Sequence, residues 1–181
     1  MRRRHLLAGL GSLGVLGGAG AVATGVVPGG FGGDSVDADP IEPTTLATVD
    51  APGSRSGEVT LPAAGEPTFV DFFATWCDPC VEQMPALAAA NERVGDRVTF
   101  VSVTTENVGG SVTEAAVRDW WTENEGDWLV AADVTAEFAA KLGMSALPTA
   151  VALDAQGRIQ WSDSGVHGVD ELVGGIETAL D

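Results

Sequence analysis

Short apolar runs and longer amphipathic stretches alternate through most of the chain. Two runs with alternating apolar positions, 44–50 and 57–62, flank the turn signal "APGS" at 51–54, and this arrangement predicts a β-hairpin. Two further runs, 68–74 and 97–105, are short, apolar and rich in β-branched and aromatic residues. Such runs are typical of strands that are buried on both faces of a sheet.

Helical spacing of apolar residues predicts four helices between and after these strands. The first runs from 77 to about 94, and the second is an inserted helix at 111–126. A short helix at 135–143 ends with a glycine, as helices often do, and the last helix covers 169–180. The core positions expected on the first helix are Val81, Met84, Leu87, Ala88, Asn91 and Val94, and those on the last are Val169, Leu172, Val173, Ile176 and Leu180.

Three more apolar runs complete the pattern, at 128–133, 148–154 and 158–163. The last two flank the turn signal "AQGR" and predict an antiparallel hairpin. A strand–helix–strand unit followed by a hairpin and a helix gives a mixed sheet when the crossover is right-handed. We therefore expect an α/β fold, a three-layer sandwich whose central mixed β-sheet is flanked by helices, with an inserted helix and an N-terminal hairpin.

The first 27 residues have the pattern of an export signal. The sequence "RRHLL" at 3–7 opens an uncharged apolar stretch that extends to Val27, and it resembles a twin-arginine signal. The stretch is long enough to cross a bilayer, so an uncleaved signal would serve as a membrane anchor. The arginines would then stay on the cytoplasmic side. We expect the protein to be exported, and to be secreted or anchored at the extracytoplasmic face of the membrane.

Residues 28–43 are rich in Gly, Pro and Asp and predict a flexible acidic linker. This assignment leaves 44–181 as a single folded domain. The organisation predicted from the sequence is thus a signal or anchor at 1–27, a linker at 28–43 and one domain.

The chain carries a formal net charge of −17, from 26 acidic residues against nine lysines and arginines. A surface this acidic repels phosphate groups and anionic lipids, so we expect no nucleic-acid partner. The composition, with the single lysine Lys141, resembles that of proteins from salt-loving archaea. At molar salt the Debye length is roughly 3 Å, and the repulsion between the acidic groups would be screened.

The only two cysteines, Cys77 and Cys80, stand where a predicted strand meets the first predicted helix. Two cysteines are too few for a disulfide framework, which suggests a chemical role. The free N–H groups and the dipole of a helix N-terminus stabilise a thiolate, the nucleophilic form. Pro79 is tolerated in a first helical turn. The spacing brings the two thiols within disulfide reach, so one can attack a disulfide and the other can resolve the product.

The stretch "DFFATWCDPCVEQMP" at 71–85 resembles the thioredoxin superfamily. Together with the inserted helix, the "LPT" segment at 147–149 and the export signal, 44–181 is most similar to the TlpA/ResA-like branch of exported thiol–disulfide oxidoreductases. The resemblance implies a thioredoxin-like fold and a redox-active disulfide that needs no cofactor and no metal. It also implies protein disulfides or dithiols as substrates and an upstream electron donor. We expect a monomer.

The resemblance assigns roles to individual residues. Cys77 matches the exposed nucleophilic cysteine and Cys80 the buried resolving cysteine. Trp76 matches the aromatic residue beside the site. Pro148 matches the cis-proline that faces the disulfide, and the backbone of Leu147 would pair with an extended substrate segment.

Asp71 matches the buried acid of thioredoxin. Burial raises the pKa of a carboxyl group, and such a group can accept the proton of the resolving thiol and return it. The branch often has Asn here, and an acid at the position of Gln83, whereas this chain has Glu82 one position earlier. Which acid acts is therefore open at this point. If Val70 and Phe72 faced the core instead, Asp71 would point to solvent.

Asp78 lies between the two cysteines. Its negative charge would raise the pKa of the Cys77 thiol and act against the helix dipole. A less stabilised thiolate gives a less stabilised reduced form, which favours a reductase over a strong oxidant. The alternative is that Asp78 is an ordinary solvated residue of a first helical turn.

Three other functions compete with this prediction. Sco-type copper proteins pair two cysteines with a histidine, and His167 is the only histidine beyond the N-terminal segment, but their cysteines are separated by three residues rather than two. A structural zinc site needs four ligands, more than 44–181 offers as Cys and His. A peroxiredoxin would have a T-x-x-C pattern, which is absent here. The last alternative is a non-catalytic binding module, which the intact CxxC with its Trp and Pro disfavours.

Three tryptophans, Trp120, Trp121 and Trp128, fall in and after the inserted helix. We expect them to pack in the core or at its rim, and a role in binding is the alternative.

Overall fold

A computed structural model of the chain describes residues 39–181. The predicted signal at 1–27 and the greater part of the predicted linker lie outside the described residues. Residues 39–43 have no helix or strand. Here Ile41 packs against the core, and its N–H donates a hydrogen bond to the carbonyl of Gly157 at 2.8 Å. Within 39–181, no helix combines the length and apolar character needed to cross a membrane.

Seven strands form one mixed sheet with the order β2-β1-β5-β4-β3-β6-β7. The central strands β5, β4 and β3 are parallel, and an antiparallel hairpin lies at each edge. Both hairpins predicted from the turn signals are thus confirmed. The strands are β1 (Thr44–Thr48), β2 (Gly57–Leu61), β3 (Thr68–Phe73), β4 (Thr99–Thr104), β5 (Leu129–Ala132), β6 (Thr149–Leu153) and β7 (Ile159–Ser164).

Helices cover both faces of the sheet, as the element order predicts. Helices α1, α2 and α4 pack in one core cluster and α3 packs in the other. The glycine that ends α3, Gly143, has a φ of +69°, the left-handed conformation favoured just past a helix end. The helices are α1 (Asp78–Val94), α2 (Glu114–Glu123), α3 (Glu137–Lys141) and α4 (Val169–Glu177), and a short 3₁₀ helix covers Gly95–Arg97.

The central strand β3 is buried on both faces. Successive side chains of a strand point to opposite faces, so Phe69 and Phe73 join the cluster of α1, while Val70 and Phe72 join the cluster of α3. Asp71 lies between the two phenylalanines and therefore shares their face. This alternation places an acid on the side of the sheet that holds both cysteines.

The buried face of α1 differs from the prediction. Val81 is 41% exposed and Asn91 is half-buried. The buried stripe of α1 begins at Cys80 and includes the polar Gln83, which binds the backbone of a neighbouring loop. A pattern of apolar positions alone therefore misplaced the buried face of this helix. The buried residues are Cys80, Gln83, Met84, Leu87, Ala90 and Val94. On α4 the buried residues are Leu172, Gly175 and Ile176, and Val169 and Val173 are half-buried. The helix ends at Glu177, before the predicted residue 180, and Leu180 beyond it is half-buried.

The tryptophans of the insertion pack in the core. Trp121 is fully buried, and Trp128 and Trp120 are 5% and 9% exposed. Trp120 stacks on Phe73 with ring centroids 4.8 Å apart, and Trp121 meets Trp128 edge-on at 4.9 Å. The predicted core role of the tryptophans is confirmed. Through the stacking of Trp120 on Phe73, the insertion packs against β3, the strand that leads to the cysteines.

Candidate active site

The dithiol lies at the junction of β3 and α1. Cys77 is the N-cap of α1, and its Sγ accepts a hydrogen bond from the backbone N–H of Cys80 at 3.2 Å. Pro79 occupies the first turn, where no backbone N–H is needed. Cys77 and Cys80 form a disulfide with Cα atoms 5.3 Å apart. The helix N-terminus thus presents its free N–H groups to the sulfur that would carry negative charge on reduction.

The two cysteines differ less in exposure than expected. Cys77, expected to be exposed, is 4% exposed, and Cys80 is 2% exposed. The Sγ of Cys77 is bonded to Cys80 and accepts the backbone N–H of Cys80, so this side chain lies against the first turn of α1. Only Cys77 of the two lines the adjoining cleft. A substrate entering that cleft would meet the sulfur of Cys77 first.

An open cleft of ≈ 550 Å³ adjoins the disulfide. It is lined by Trp76, which is 73% exposed, and by Met144 and Leu147 of the loop before β6. The peptide bond between Leu147 and Pro148 is cis, while Pro148 itself is buried. The structure therefore brings Trp76, Cys77 and Leu147, three of the predicted site residues, to one cleft. Pro148, which follows Leu147 in the chain, is not among the residues that line the cleft.

Asp71, on the sheet face that holds both cysteines, is 2% exposed. The hydroxyl of Ser102 donates a hydrogen bond to its Oδ2 at 3.3 Å, and among the described residues no donor reaches Oδ1. Burial raises the pKa of Asp71 from 3.8 to about 7, and the Ser102 hydrogen bond partly opposes this rise. The alternative of a solvent-facing Asp71 is wrong. A carboxyl poised near neutrality on this face suits proton exchange with a thiol.

Gln83 occupies the position where the resemblance stated above leads us to look for an acid. Its side chain is 1% exposed and binds the backbone of His167 at both polar groups. The N–H of His167 donates to Oε1 at 2.6 Å, and Nε2 donates to the carbonyl of His167 at 3.4 Å. Glu82 is exposed, so the first turns of α1 hold no buried acid. Asp71 is therefore the better candidate for proton exchange.

Glu106 is a site residue that the sequence reading missed. Its carboxylate accepts hydrogen bonds from the N–H and the hydroxyl of Thr75, both at 2.8 Å, and from the hydroxyl of Thr104 at 3.1 Å. The sequence does carry a signal for the contact between Glu106 and Thr75, because residues that follow neighbouring parallel strands meet at one edge of the sheet. Thr75 follows β3 and Glu106 follows β4.

His167 does not meet the cysteines in a metal-binding arrangement. Its Nδ1 lies 3.3 Å from Oε2 of Glu171, and its ring packs edge-on against Trp161. In the described part of the chain, one group of His, Cys, Asp and Glu ligand atoms is close enough to share an ion, with all atoms within 4.8 Å: Asp163, His167 and Glu171. It contains neither cysteine, which does not favour the Sco-type alternative.

Comparison with known proteins places this geometry in a family. The family model for Redoxin matches residues 39–180. The chain belongs to the Redoxin family. Sporulation thiol-disulfide oxidoreductase A of Bacillus subtilis is 22% identical over 116 residues, which are 64% of this chain and 69% of that protein. Chloroplastic thioredoxin Y of Oryza sativa is 41% identical over 46 residues, 25% of this chain and 27% of its own length. The chain spans less than two fifths of the chloroplastic thioredoxins X and Y that it matches.

Solved structures share the fold of this Redoxin-family chain. StoA from Bacillus subtilis aligns with a TM-score of 0.61 and 21% identity, over 75% of this chain and 98% of its own. The exposed lipoprotein thioredoxin Etrx1 from Streptococcus pneumoniae aligns with a TM-score of 0.63 and 20% identity, over 75% and 98%. The predicted thioredoxin-like sandwich is thereby confirmed.

Proposed function

We propose that the protein is a thiol–disulfide oxidoreductase that reduces disulfides of exported proteins. The observation that carries this proposal is the Cys77–Cys80 disulfide at the N-terminus of α1, with Cys77 lining an open cleft opposite Leu147. A Redoxin-family chain with an intact CxxC pair in this place has the groups that dithiol–disulfide exchange requires.

The reaction begins from the reduced dithiol. The thiolate of Cys77 attacks one sulfur of a substrate disulfide, whose S–S bond breaks and releases the other substrate sulfur as a thiolate. Cys80 loses its proton and attacks the sulfur of Cys77, which releases the second substrate thiolate and forms the Cys77–Cys80 disulfide. Two electrons pass from the protein to the substrate, and a thiol donor must return two electrons before the next turnover.

Asp71 serves as the proton acceptor for Cys80 in this scheme. A base works best when its pKa lies near the operating pH, and burial brings the pKa of Asp71 to about 7. Its Oδ2 is held by Ser102, so Oδ1 is the oxygen that takes the proton. In the reverse direction the same carboxyl returns the proton to the thiolate of Cys80.

The cleft supplies the contacts for an extended protein substrate. The exposed indole of Trp76 offers an apolar surface, and the half-buried Leu147 lies on the opposite wall. A substrate segment beside Leu147 would pair with its backbone, as an added strand does. This mode recognises the main chain and leaves the substrate sequence largely open.

The direction of the reaction follows from the charge beside the nucleophile. Asp78 is exposed and lines the cleft together with Cys77. Its like charge disfavours the Cys77 thiolate and therefore the reduced form, which makes the dithiol a better electron donor. The expected reduction potential is below that of strong oxidants, and a measured value above about −150 mV would contradict the reductase direction.

The place of action is the extracytoplasmic face of the membrane, with 1–27 as a twin-arginine signal or anchor and 28–43 as linker. The arginines at 3 and 4 and the uncharged stretch after them support this, and the similar Etrx1 is described as exposed. Replacing Arg3 and Arg4 by Lys should leave the protein in the cytoplasm of a producing cell, as judged by fractionation. Unchanged export of this variant would contradict the signal assignment.

Reduction of insulin tests the activity itself. With dithiothreitol as donor, the protein should accelerate insulin precipitation, and Cys77→Ser should abolish the acceleration. Cys80→Ser should instead accumulate a mixed disulfide with the substrate, because the attacking thiol remains and the resolving thiol is gone. Equal rates for the protein and Cys77→Ser would refute the oxidoreductase proposal.

A further inference from the structure

A buried hydrogen-bond series leads from Trp128, just after the inserted helix, to Asp71, the acid on the sheet face that also holds both cysteines. The indole Nε1–H of Trp128 donates to Oγ of Ser102 at 3.0 Å, and Ser102 donates to Oδ2 of Asp71 at 3.3 Å. Trp128, Ser102 and Asp71 are 5%, 0% and 2% exposed. We call these three residues the buried relay.

The chemistry of the groups fixes the direction of the relay. An indole N–H is only a donor, whereas a serine hydroxyl has one proton and can also accept. The oxygen of Ser102 accepts the hydrogen bond of the Trp128 N–H, and the hydroxyl of Ser102 donates its own hydrogen to Asp71. Parallel pairing of β3 and β4 sets Asp71 and Ser102 side by side in register. The strand register places the hydroxyl of Ser102 next to Asp71, and the hydrogen bond from Trp128 directs that hydroxyl's hydrogen toward the carboxylate.

We propose that Ser102 and Trp128 are positioning residues that set the proton affinity of Asp71. They thereby set the pH range in which the Cys80 thiol can be deprotonated. Without them, Asp71 would be an isolated carboxyl in an apolar layer, where the neutral form is strongly favoured. The consequence for Cys80 rests on the function proposed above, whereas the effect on Asp71 does not.

Two features of the site support this role. A hydrogen bond to the charged form of an acid favours that form, so the hydroxyl of Ser102 opposes the effect of burial on Asp71. It also engages only Oδ2, and within 39–181 no donor contacts Oδ1. One oxygen is thus held in place while the other remains available for the proton of the thiol.

Other titratable groups on the surrounding elements do not account for the tuning. On the two strands that flank β3, the register partners of Asp71 are Ser102 and Ala150, which carry no charge. On this side of the sheet Glu106 binds Thr75, and His167 lies beside Glu171. The acids of α1 and α2 are exposed, namely Asp78, Glu82, Glu92, Glu114, Asp119 and Glu123, and so is Arg118.

Titration of the Asp71 carboxyl by ¹³C NMR in the oxidised protein tests the relay directly. Ser102→Ala should raise its titration midpoint by about one to two pH units, the equivalent of a hydrogen bond to a charged group. Ser102→Thr keeps the hydroxyl and should restore the midpoint. Trp128→Phe should raise it by a smaller amount, because Ser102 remains but its proton is free to turn away.

A matched control separates the hydrogen bond from packing. Trp121 is a neighbouring buried indole whose Nε1–H donates to the carbonyl of Pro52 at 3.0 Å rather than to Ser102. Trp121→Phe loses similar packing and should leave the Asp71 midpoint unchanged. Trp128→Phe should also have no further effect when Ser102 is already Ala, since the relay is then interrupted.

Equal shifts of the Asp71 midpoint in Trp121→Phe and Trp128→Phe would overturn the proposal. So would a Trp128→Phe shift that is as large with Ala at position 102 as with Ser. If Ser102→Ala does not fold, the two tryptophan variants decide alone. The pH profile of insulin reduction should move upward with the Asp71 midpoint. If the unmodified protein did not reduce insulin while the variants shifted the Asp71 midpoint as expected, the oxidoreductase proposal would be refuted. The tuning of Asp71 would still stand.

Discussion

The carboxylate of Glu106 accepts hydrogen bonds from both the backbone N–H and the hydroxyl of Thr75, each 2.8 Å long. Thr75 lies two residues before Cys77, in the turn between β3 and α1. The same carboxylate accepts a bond from Thr104, the last residue of β4. One side chain thus joins the end of a central strand to the turn that carries Cys77.

Glu106→Gln should weaken this junction. The neutral amide has one acceptor oxygen in place of two charged ones, so at least one donor of Thr75 or Thr104 loses its partner. Hydrogen bonds to charged groups contribute about 1.5–3 kcal/mol, and we expect a loss of about 1–3 kcal/mol in the free energy of unfolding by urea. Insulin reduction should slow as well. Glu92→Gln, at an exposed position of α1, is the control, and equal stability losses in both variants would contradict the prediction.

Asp71→Asn should change how stability depends on pH. Because burial raises the pKa of Asp71 to about 7, the folded protein retains a proton that the unfolded chain loses above about pH 4. The contribution of Asp71 to the free energy of unfolding therefore falls between about pH 4 and 7 and then levels off. A pKa rise of about three units corresponds to a cost on the order of 4 kcal/mol at neutral pH. Asparagine removes that cost.

Urea unfolding of both proteins from pH 4 to 8 measures the effect. The stability of Asp71→Asn minus that of the unmodified protein should increase up to about pH 7, while insulin reduction by the variant falls. Asp119→Asn, at an exposed position of α2, should show no such trend. A constant difference across the whole pH range would show that Asp71 has no raised pKa.

Gln83→Glu should introduce a pH-dependent loss of stability. The new carboxyl would be buried and would face the carbonyl oxygen that now receives the Nε2–H of Gln83. Burial raises the pKa of such a group above its unfolded value of about 4.3. Stability relative to the unmodified protein should therefore decrease as pH rises from about 4 through the folded pKa. Comparison at each pH cancels the contribution of Asp71.

The protonated acid at low pH can still donate to the carbonyl of His167, so the loss should be smallest near pH 4. Glu82→Gln alters the neighbouring exposed residue and should have little effect at any pH. If Gln83→Glu were as stable as the unmodified protein at pH 8, the amide would not be required at this position.

The element pattern predicted the strands, the two hairpins and the dithiol at a helix start, because each leaves a local signature. Apolar runs mark β3 and β4 as buried, and the CxxC motif with Pro79 between its cysteines marks the first turn of α1. The thioredoxin resemblance then predicted Asp71 as a buried acid. These predictions depend only on residues that are neighbours in sequence or on a motif.

The hydrogen-bond partners of these residues are distant in sequence, so they depend on how the strands and loops pack in the folded chain. Ser102 contacts Asp71 only because β3 and β4 pair in parallel with these two residues in register, and register is set by the whole sheet rather than by either strand. Gln83 is absent from the predicted core positions of α1, because a pattern of apolar positions does not select a glutamine. Its inward position requires the backbone of His167, 84 residues away.

Asp78→Asn should raise the reduction potential of the dithiol. Asp78 lines the cleft beside Cys77, and removing its charge stabilises the thiolate and with it the reduced form. Because Asp78 is exposed, we expect a modest rise of roughly 10–30 mV at low salt. At 1 M KCl the Debye length falls to about 3 Å, so the rise should shrink.

Equilibration with glutathione at both salt concentrations measures the potential. Glu82→Gln removes an exposed charge that does not line the cleft, and an equal rise in that variant would mean that net charge, not the position of Asp78, sets the potential.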